Sequence, residues 1–191
     1  GITWKLGGSY EDQMDTFVDM GMLLVLMVIL VYVIMASQFE SLKYPFVIMF
    51  SLPFAVVGVL LGLWSTHTAL GVMGLLGVLM LVGIVVNNGI VLVDYTRLLI
   101  GRKLPIIEAV VAGGKSRLRP ILMTTLTTVL GMVPMAAGNG VGSEMWNSLG
   151  MVVATGLTFS TLVTLFLIPV LFTWLAMRNE RKRAKKLAQL N

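Results

Sequence analysis

The sequence predicts an all-α membrane protein of five transmembrane helices, preceded by a short N-terminal extracytoplasmic strand. Three observations predict it. Hydrophobic residues make up 57% of the 191-residue chain and charged residues only 12%, where a soluble domain carries about a quarter charged residues. The mean hydropathy is +0.92, and uncharged stretches recur at lengths that match or exceed a bilayer crossing. The basic residues, finally, are gathered into a few short segments between and after those stretches.

Gly1 to Gly8 carries Ile2-Thr3-Trp4-Lys5-Leu6, which alternates like the end of a strand, and Gly7-Gly8, which reads as a turn. Ser9 follows as a capping residue with acids in the first turn, suited to a helix leading straight into span one. A hydrocarbon core of about 30 Å needs about 20 helical residues. Met20 to Phe39 supplies 20 without a charge, so span one is placed at about 17–38. The next uncharged run, Tyr44 to Val93, has 50 residues, about 75 Å as one helix, and must fold back on itself. The reversal is placed at Gly62 to Thr68, where glycine, small polar residues and Trp64 cluster, giving span two at about 45–63 and span three at about 70–95.

Between spans three and four, Pro105 to Ala112 is closed by Gly113-Gly114 and reads as a short amphipathic helix, about 105–113, on the cytoplasmic membrane surface. Span four, about 120–138, begins at Pro120, where a first helical turn accepts proline, and ends in the turn-rich Gly138 to Ser143. Met145 to Met177 has 33 residues, too many for one upright crossing and too few for two, so it reads as one tilted span, about 148–177. Residues 178–191 form a basic tail. Placing the C-terminus in the cytoplasm puts thirteen lysines and arginines inside and only Lys5 outside, as the positive-inside rule requires.

Composition also excludes chemistry. Without cysteine there is no disulfide or thiolate site, and the single histidine leaves little for imidazole chemistry. No nucleophile, base and orienting group can be placed together, so neither an enzyme nor a cofactor is expected. The net charge of +5 does not point to nucleic acid, because six of the fourteen basic residues sit in the tail, as expected of an anchor at an anionic lipid leaflet. The chain lacks the basic-then-apolar order of a signal peptide and does not begin with Met, so a longer parent protein is expected.

Polar groups inside spans are costly in hydrocarbon and mark where function is to be sought. Asn87 and Asn88 stand out in span three. Asn87, Val91 and Asp94 follow i, i+4, i+7 spacing and share a face. In span four Arg117, Ile121, Thr124 and Thr128 form a stripe, flanked by Thr125 and Thr127. Two readings are open for these residues: an ion-translocation path, or plain helix packing through amide bridges and hydroxyls bonded to their own helix. Asp94 is likewise either an interfacial anchor paired with Arg97 or a proton carrier. Gly58 and Gly62 in span two, and the glycines of span three, read as close-packing positions, and the fourteen methionines as packing.

The stretches SQFESLKYPFVIMFSLPFAVVGVLLG, LVGIVVNNGIVLVDYTR and GGKSRLRPILMTTLTTVLGMVPMAAGNGVGSEMW, in this order and spacing, resemble the C-terminal half of resistance-nodulation-division (RND) transporters of the hydrophobe and amphiphile efflux type. The resemblance implies a parent of two six-span repeats with large extracytoplasmic insertions. This chain corresponds to spans eight to twelve, and residues 1–16 to the end of a porter domain and its lead-in helix. The first repeat is then the missing N-terminal half. It implies a homotrimer that expels substrates by proton antiport across the bacterial inner membrane, working with a periplasmic adaptor and an outer-membrane channel. Carried over residue by residue, the proton relay comprises Asn87 and Asn88 of span ten and Thr124 of span eleven, with Arg117 near the cytoplasmic end. Asp94, Thr125 and Thr128 make a secondary polar stripe. Many drug-exporting members have lysine at the position of Asn87. Asparagine can only hydrogen-bond there, so coupling needs a different charge arrangement.

Three readings follow: an exporter of amphiphilic compounds, an RND relative moving metal ions or lipids, and a self-standing five-span scaffold subunit. The first two differ in the extracytoplasmic domains, and the third requires its own start and targeting signal.

Overall fold

A computed structural model describes residues 9–138, 140 and 142–188 of the chain, with side-chain environments for residues 12–138, 140, 142, 143 and 145–178. The strand expected at residues 2–6 lies outside the described residues. The described chain is all helical: α1 (Ser9–Phe39), α2 (Lys43–Met49), α3 (Leu52–Thr66), α4 (Val72–Gly101), α5 (Ile106–Ala136) and α6 (Ser143–Ala188). Five segments are long and apolar enough to cross a membrane, α2 and α3 together forming the second.

α6 is the central strut, against which α3, α4 and α5 all pack. Two buried clusters fill the bundle. One joins Met35, Phe39, Ile48, Val86, Val93, Ile168 and Phe172, and the other joins Ala55, Val59, Leu81, Val85, Val152 and Leu157. α1 reaches the first cluster only through its second half, where Met27, Val31, Met35 and Phe39 recur every fourth residue and so share a face. Its earlier apolar residues, such as Met22 and Leu26, are exposed.

The second span is broken at Phe50-Ser51, because Pro53, at the second position of α3, has no N–H for the carbonyl four residues back. Ser51 is fully buried, and its hydroxyl donates to the Ile48 carbonyl at 2.6 Å across the break. Pro53 therefore marks a full interruption of the second span rather than a kink within it. Pro120 and Pro134 of α5 and Pro169 of α6 are all carried inside continuous helices.

Two expected boundaries are corrected. The reversal begins at His67 rather than Gly62: α3 continues to Thr66, and Gly62 sits inside it against Thr155 of α6. Nor does Gly113-Gly114 end a separate surface helix, since α5 runs unbroken from Ile106 to Ala136. Gly113 instead lets α5 cross α4, where an added Cβ would meet the Thr96 hydroxyl at 2.6 Å. Pro120 consequently lies mid-helix rather than in a first turn.

Three helix ends share one arrangement. At α1, the Ser41 N–H bonds the Ala36 carbonyl and the Glu40 N–H that of Ser37. At α3, Thr68 bonds Leu63 and His67 bonds Trp64, and after α4, Leu104 bonds Leu99 and Lys103 bonds Ile100. Each is a Schellman closure with a left-handed residue just past the helix, usually glycine. Here that residue is Glu40 (φ 47°), His67 (φ 51°) or Lys103 (φ 66°).

Candidate functional site

α4 packs with Gly77, Leu81, Val85, Gly89 and Leu92 buried. The opposite side, Met80, Asn87, Asp94 and Gly101, is exposed at a spacing of seven residues. Asn87 and Asp94 thus share one open face, as their spacing predicts, and Asn88, one residue round the helix, is half-buried. α4 has 30 residues, about 45 Å, and Asn87 lies at its middle. A carboxamide turned outward at mid-bilayer depth is costly against lipid. This face therefore has the chemistry of a contact with protein or with a water-filled path.

Arg97, a ready partner for Asp94 by spacing, is engaged elsewhere. Its guanidinium donates to the Phe39 carbonyl at 3.2 Å and lies 4.7 Å from the Tyr44 ring centroid. It ties α4 to the end of α1 and the start of α2 and leaves Asp94 exposed.

On α5 the stripe divides. Ile121 and Thr125, four residues apart, are buried, whereas Thr124 is exposed and Thr128 half-buried. The Thr124 hydroxyl donates to the Pro120 carbonyl at 3.0 Å, and Thr127 does the same to Met123 at 2.8 Å. Thr124 thus satisfies its donor within its own helix and keeps its lone pairs outward. Thr125 faces inward to the Thr161 hydroxyl of α6 at 3.1 Å. Arg117, half-buried, stacks over Tyr95 of α4 at 4.6 Å. The Arg117 Nε is buried and has no hydrogen-bond acceptor among the described residues. Aromatic stacking thus holds Arg117 one position along from Asp94, with donor capacity to spare.

The structure brings Arg117 to the Asp94–Tyr95 turn and joins Thr125 to α6, and it leaves Asn87 and Thr124 on open surfaces. Sequence reasoning passed over Tyr95 and the buried hydroxyls of α6. There Ser160 donates to Leu157, Thr164 donates to Ser160, and Thr161 meets Thr125. The recurrence of Thr155, Thr158, Ser160, Thr161 and Thr164 was a signal for them. Among the described residues no group of three or more His, Cys, Asp or Glu side chains is placed to hold a metal ion.

A kinked, glycine-packed bundle of five helices long and apolar enough to cross a membrane, with polar groups at mid-helix on an open face, defines a polytopic membrane protein. The chain belongs to the AcrB/AcrD/AcrF family of RND transporters, whose family model matches residues 1–176. It is 38% identical over 182 residues to the swarming motility protein SwrC of Bacillus subtilis, covering 95% of this chain and 17% of SwrC. It is 32% identical to the cobalt-zinc-cadmium resistance protein CzcA of Cupriavidus metallidurans, over 94% of this chain and 17% of CzcA. Over 90% of this chain and 16% of the relative, it is 32% identical to the multidrug export protein AcrF of Escherichia coli. The fold resembles the crystal structure of a heavy metal efflux pump, with a TM-score of 0.79 and 29% identity over 92% of this chain and 18% of the pump. The chain thus spans about a sixth of the length of these relatives.

Proposed function

We propose that this chain forms the last five membrane spans of an RND efflux transporter and supplies one side of its ion-coupling site. On this reading Asn87, Asn88 and Thr124 face acidic residues carried by the first repeat, with Arg117 at the cytoplasmic end of the path. Export is driven by ion antiport, with the proton as the coupling ion. Asp94, Thr125 and Thr128 line or support the path. The N-terminus is extracytoplasmic and the C-terminus cytoplasmic, by the distribution of basic residues. The parent works in the bacterial inner membrane as a homotrimer, with a periplasmic adaptor and an outer-membrane channel where there is an outer membrane.

The observation that carries this reading is the outward carboxamide of Asn87 at the middle of α4, on the same face as Asp94. It asks for a polar protein partner at a depth where lipid offers none. The amphiphile-exporting reading is supported by similarity to AcrF. The likeness to CzcA and to the heavy metal efflux pump gives equal support to metal ions as cargo.

The test is Asn87→Leu in the natural protein that carries this segment, with export by energised cells measured alongside membrane abundance. Leucine keeps the volume and removes the hydrogen bonds. Export should fall on the order of tenfold, the rate equivalent of one lost polar contact in a coupling step, at unchanged abundance. Unchanged export would remove Asn87 from the path.

A further inference from the structure

All eight lysines and arginines between residues 12 and 178 lie at one end of the bundle, the end where α1 stops, α2 starts and α6 leaves. Beside them, between α1, α2 and α6, opens a groove of about 270 Å³. Its apolar wall is built by Phe46, Phe50, Leu171, Trp174 and Leu175. Phe46, Phe50 and Phe54 recur every fourth residue with ring centroids 6.4 and 6.3 Å apart, a continuous aromatic edge along the outside of the broken second span. Phe46 is 62% exposed and Trp174 58% exposed. The surface is thus apolar and turned away from the core.

The rim of the groove is polar and cationic. Lys43 is among the residues that line it. Tyr32, also in the lining, donates its hydroxyl to the Leu42 carbonyl at 3.1 Å, which fixes the turn that carries Lys43. Arg178 lies over the ring of Trp174 at 5.1 Å, so a second cation sits against a residue that lines the same groove. Two cations over an aromatic and aliphatic trough, at the membrane end where all the nearby basic residues collect, match one ligand class: a lipid with an anionic phosphate head and acyl tails. The tryptophan fits as well, with its ring at headgroup depth and its face turned to the guanidinium.

We propose that this groove is a seat for one anionic phospholipid of the adjoining leaflet, with its phosphate between Lys43 and Arg178 and an acyl chain along Phe46, Phe50 and Leu171. The inference rests on the helices crossing a membrane and not on ion coupling, so its test does not read transport. The natural protein carrying this chain is placed in nanodiscs of phosphatidylcholine with a minority of phosphatidylglycerol. The lipid retained after release is then counted by native mass spectrometry. The wild type should keep about one phosphatidylglycerol per chain in preference to phosphatidylcholine. Lys43→Ser together with Arg178→Ser should lower that retention on the order of tenfold, at an unchanged thermal midpoint. Equal retention of the two lipids by the wild type, a comparison that needs no variant, would overturn the proposal. So would a folded double variant that holds phosphatidylglycerol as the wild type does.

Discussion

The seam where α6 meets α3, α4 and α5 and the outer face of α4 and α5 use the same residue types in opposite ways. In the seam, glycines bring backbones together: an added Cβ at Gly58 would meet Phe159 at 2.6 Å, and one at Gly156 would meet Val59 at 2.7 Å. The hydroxyls there are turned to carbonyls of their own helix, as with Thr155 to Met151 at 2.8 Å, or to each other, as in the Thr125–Thr161 pair. On the outer face, Asn87 and Asp94 project outward and Thr124 keeps its lone pairs outward. The seam is chemically closed, whereas the outer face keeps polar groups open, as the proposed coupling role requires. In a membrane that difference separates packing from function more sharply than residue type does, because hydrocarbon supplies no substitute partner for a group left over.

The strongest way to break the comparison is to overfill the seam. Gly62→Leu places a side chain where Thr155 of α6 already stands, and neither helix can withdraw without disturbing α4 as well. The expected loss is about 3 kcal/mol or more, seen as a large fall in the thermal midpoint of the detergent-solubilised natural protein. The same substitution at Gly131, on exposed α5 backbone with nothing within 4 Å of an added Cβ, should leave seam integrity intact. If Gly62→Leu were tolerated, the close approach of α3 and α6 would be wrong.

Much of this division was legible in the sequence. The five crossings followed from uncharged run lengths, and the face shared by Asn87 and Asp94 from their spacing. Gly58 and Gly62, four apart, pointed to close packing, and the structure places both against α6. Glycine misled where it was read as punctuation. Gly113 is a crossing residue, and the stops are made by Glu40, His67 and Lys103, whose left-handed backbones carry no residue-type signature. The inward turn of Thr125 and the outward turn of Thr124 could not be read either. Adjacent residues differ by about 100° around a helix, and which one faces in depends on where α6 lies.

A smaller effect sharpens the closed side. The Thr125–Thr161 hydrogen bond links α5 to α6 with both residues buried. Thr125→Val or Thr161→Val should each cost about 1 kcal/mol, typical of an interhelical hydrogen bond in a membrane protein. The double variant should cost little more than either single change, since the second removes a partner already lost. Additive losses would show that each hydroxyl is held by something other than its neighbour. Export should respond less to this pair than to Asn87→Leu, because the pair belongs to the seam and not to the open face.

The smallest effects lie at the helix ends that frame both regions. Glu40, His67 and Lys103 hold left-handed backbone that costs a side-chain-bearing residue about 1 kcal/mol relative to glycine. Part of that gain is offset by the extra freedom glycine brings to the unfolded chain. His67→Gly and Lys103→Gly should therefore each raise stability by about 0.5 kcal/mol. Gly142→Ala, at φ +85° with open space around it, should lower stability by about 1 kcal/mol through backbone strain alone. A matched set of thermal midpoints measures all three. Should His67→Gly lower the midpoint instead, the imidazole itself would be holding the end of α3, and the turn between α3 and α4 would owe its shape to a side-chain contact rather than to backbone hydrogen bonds.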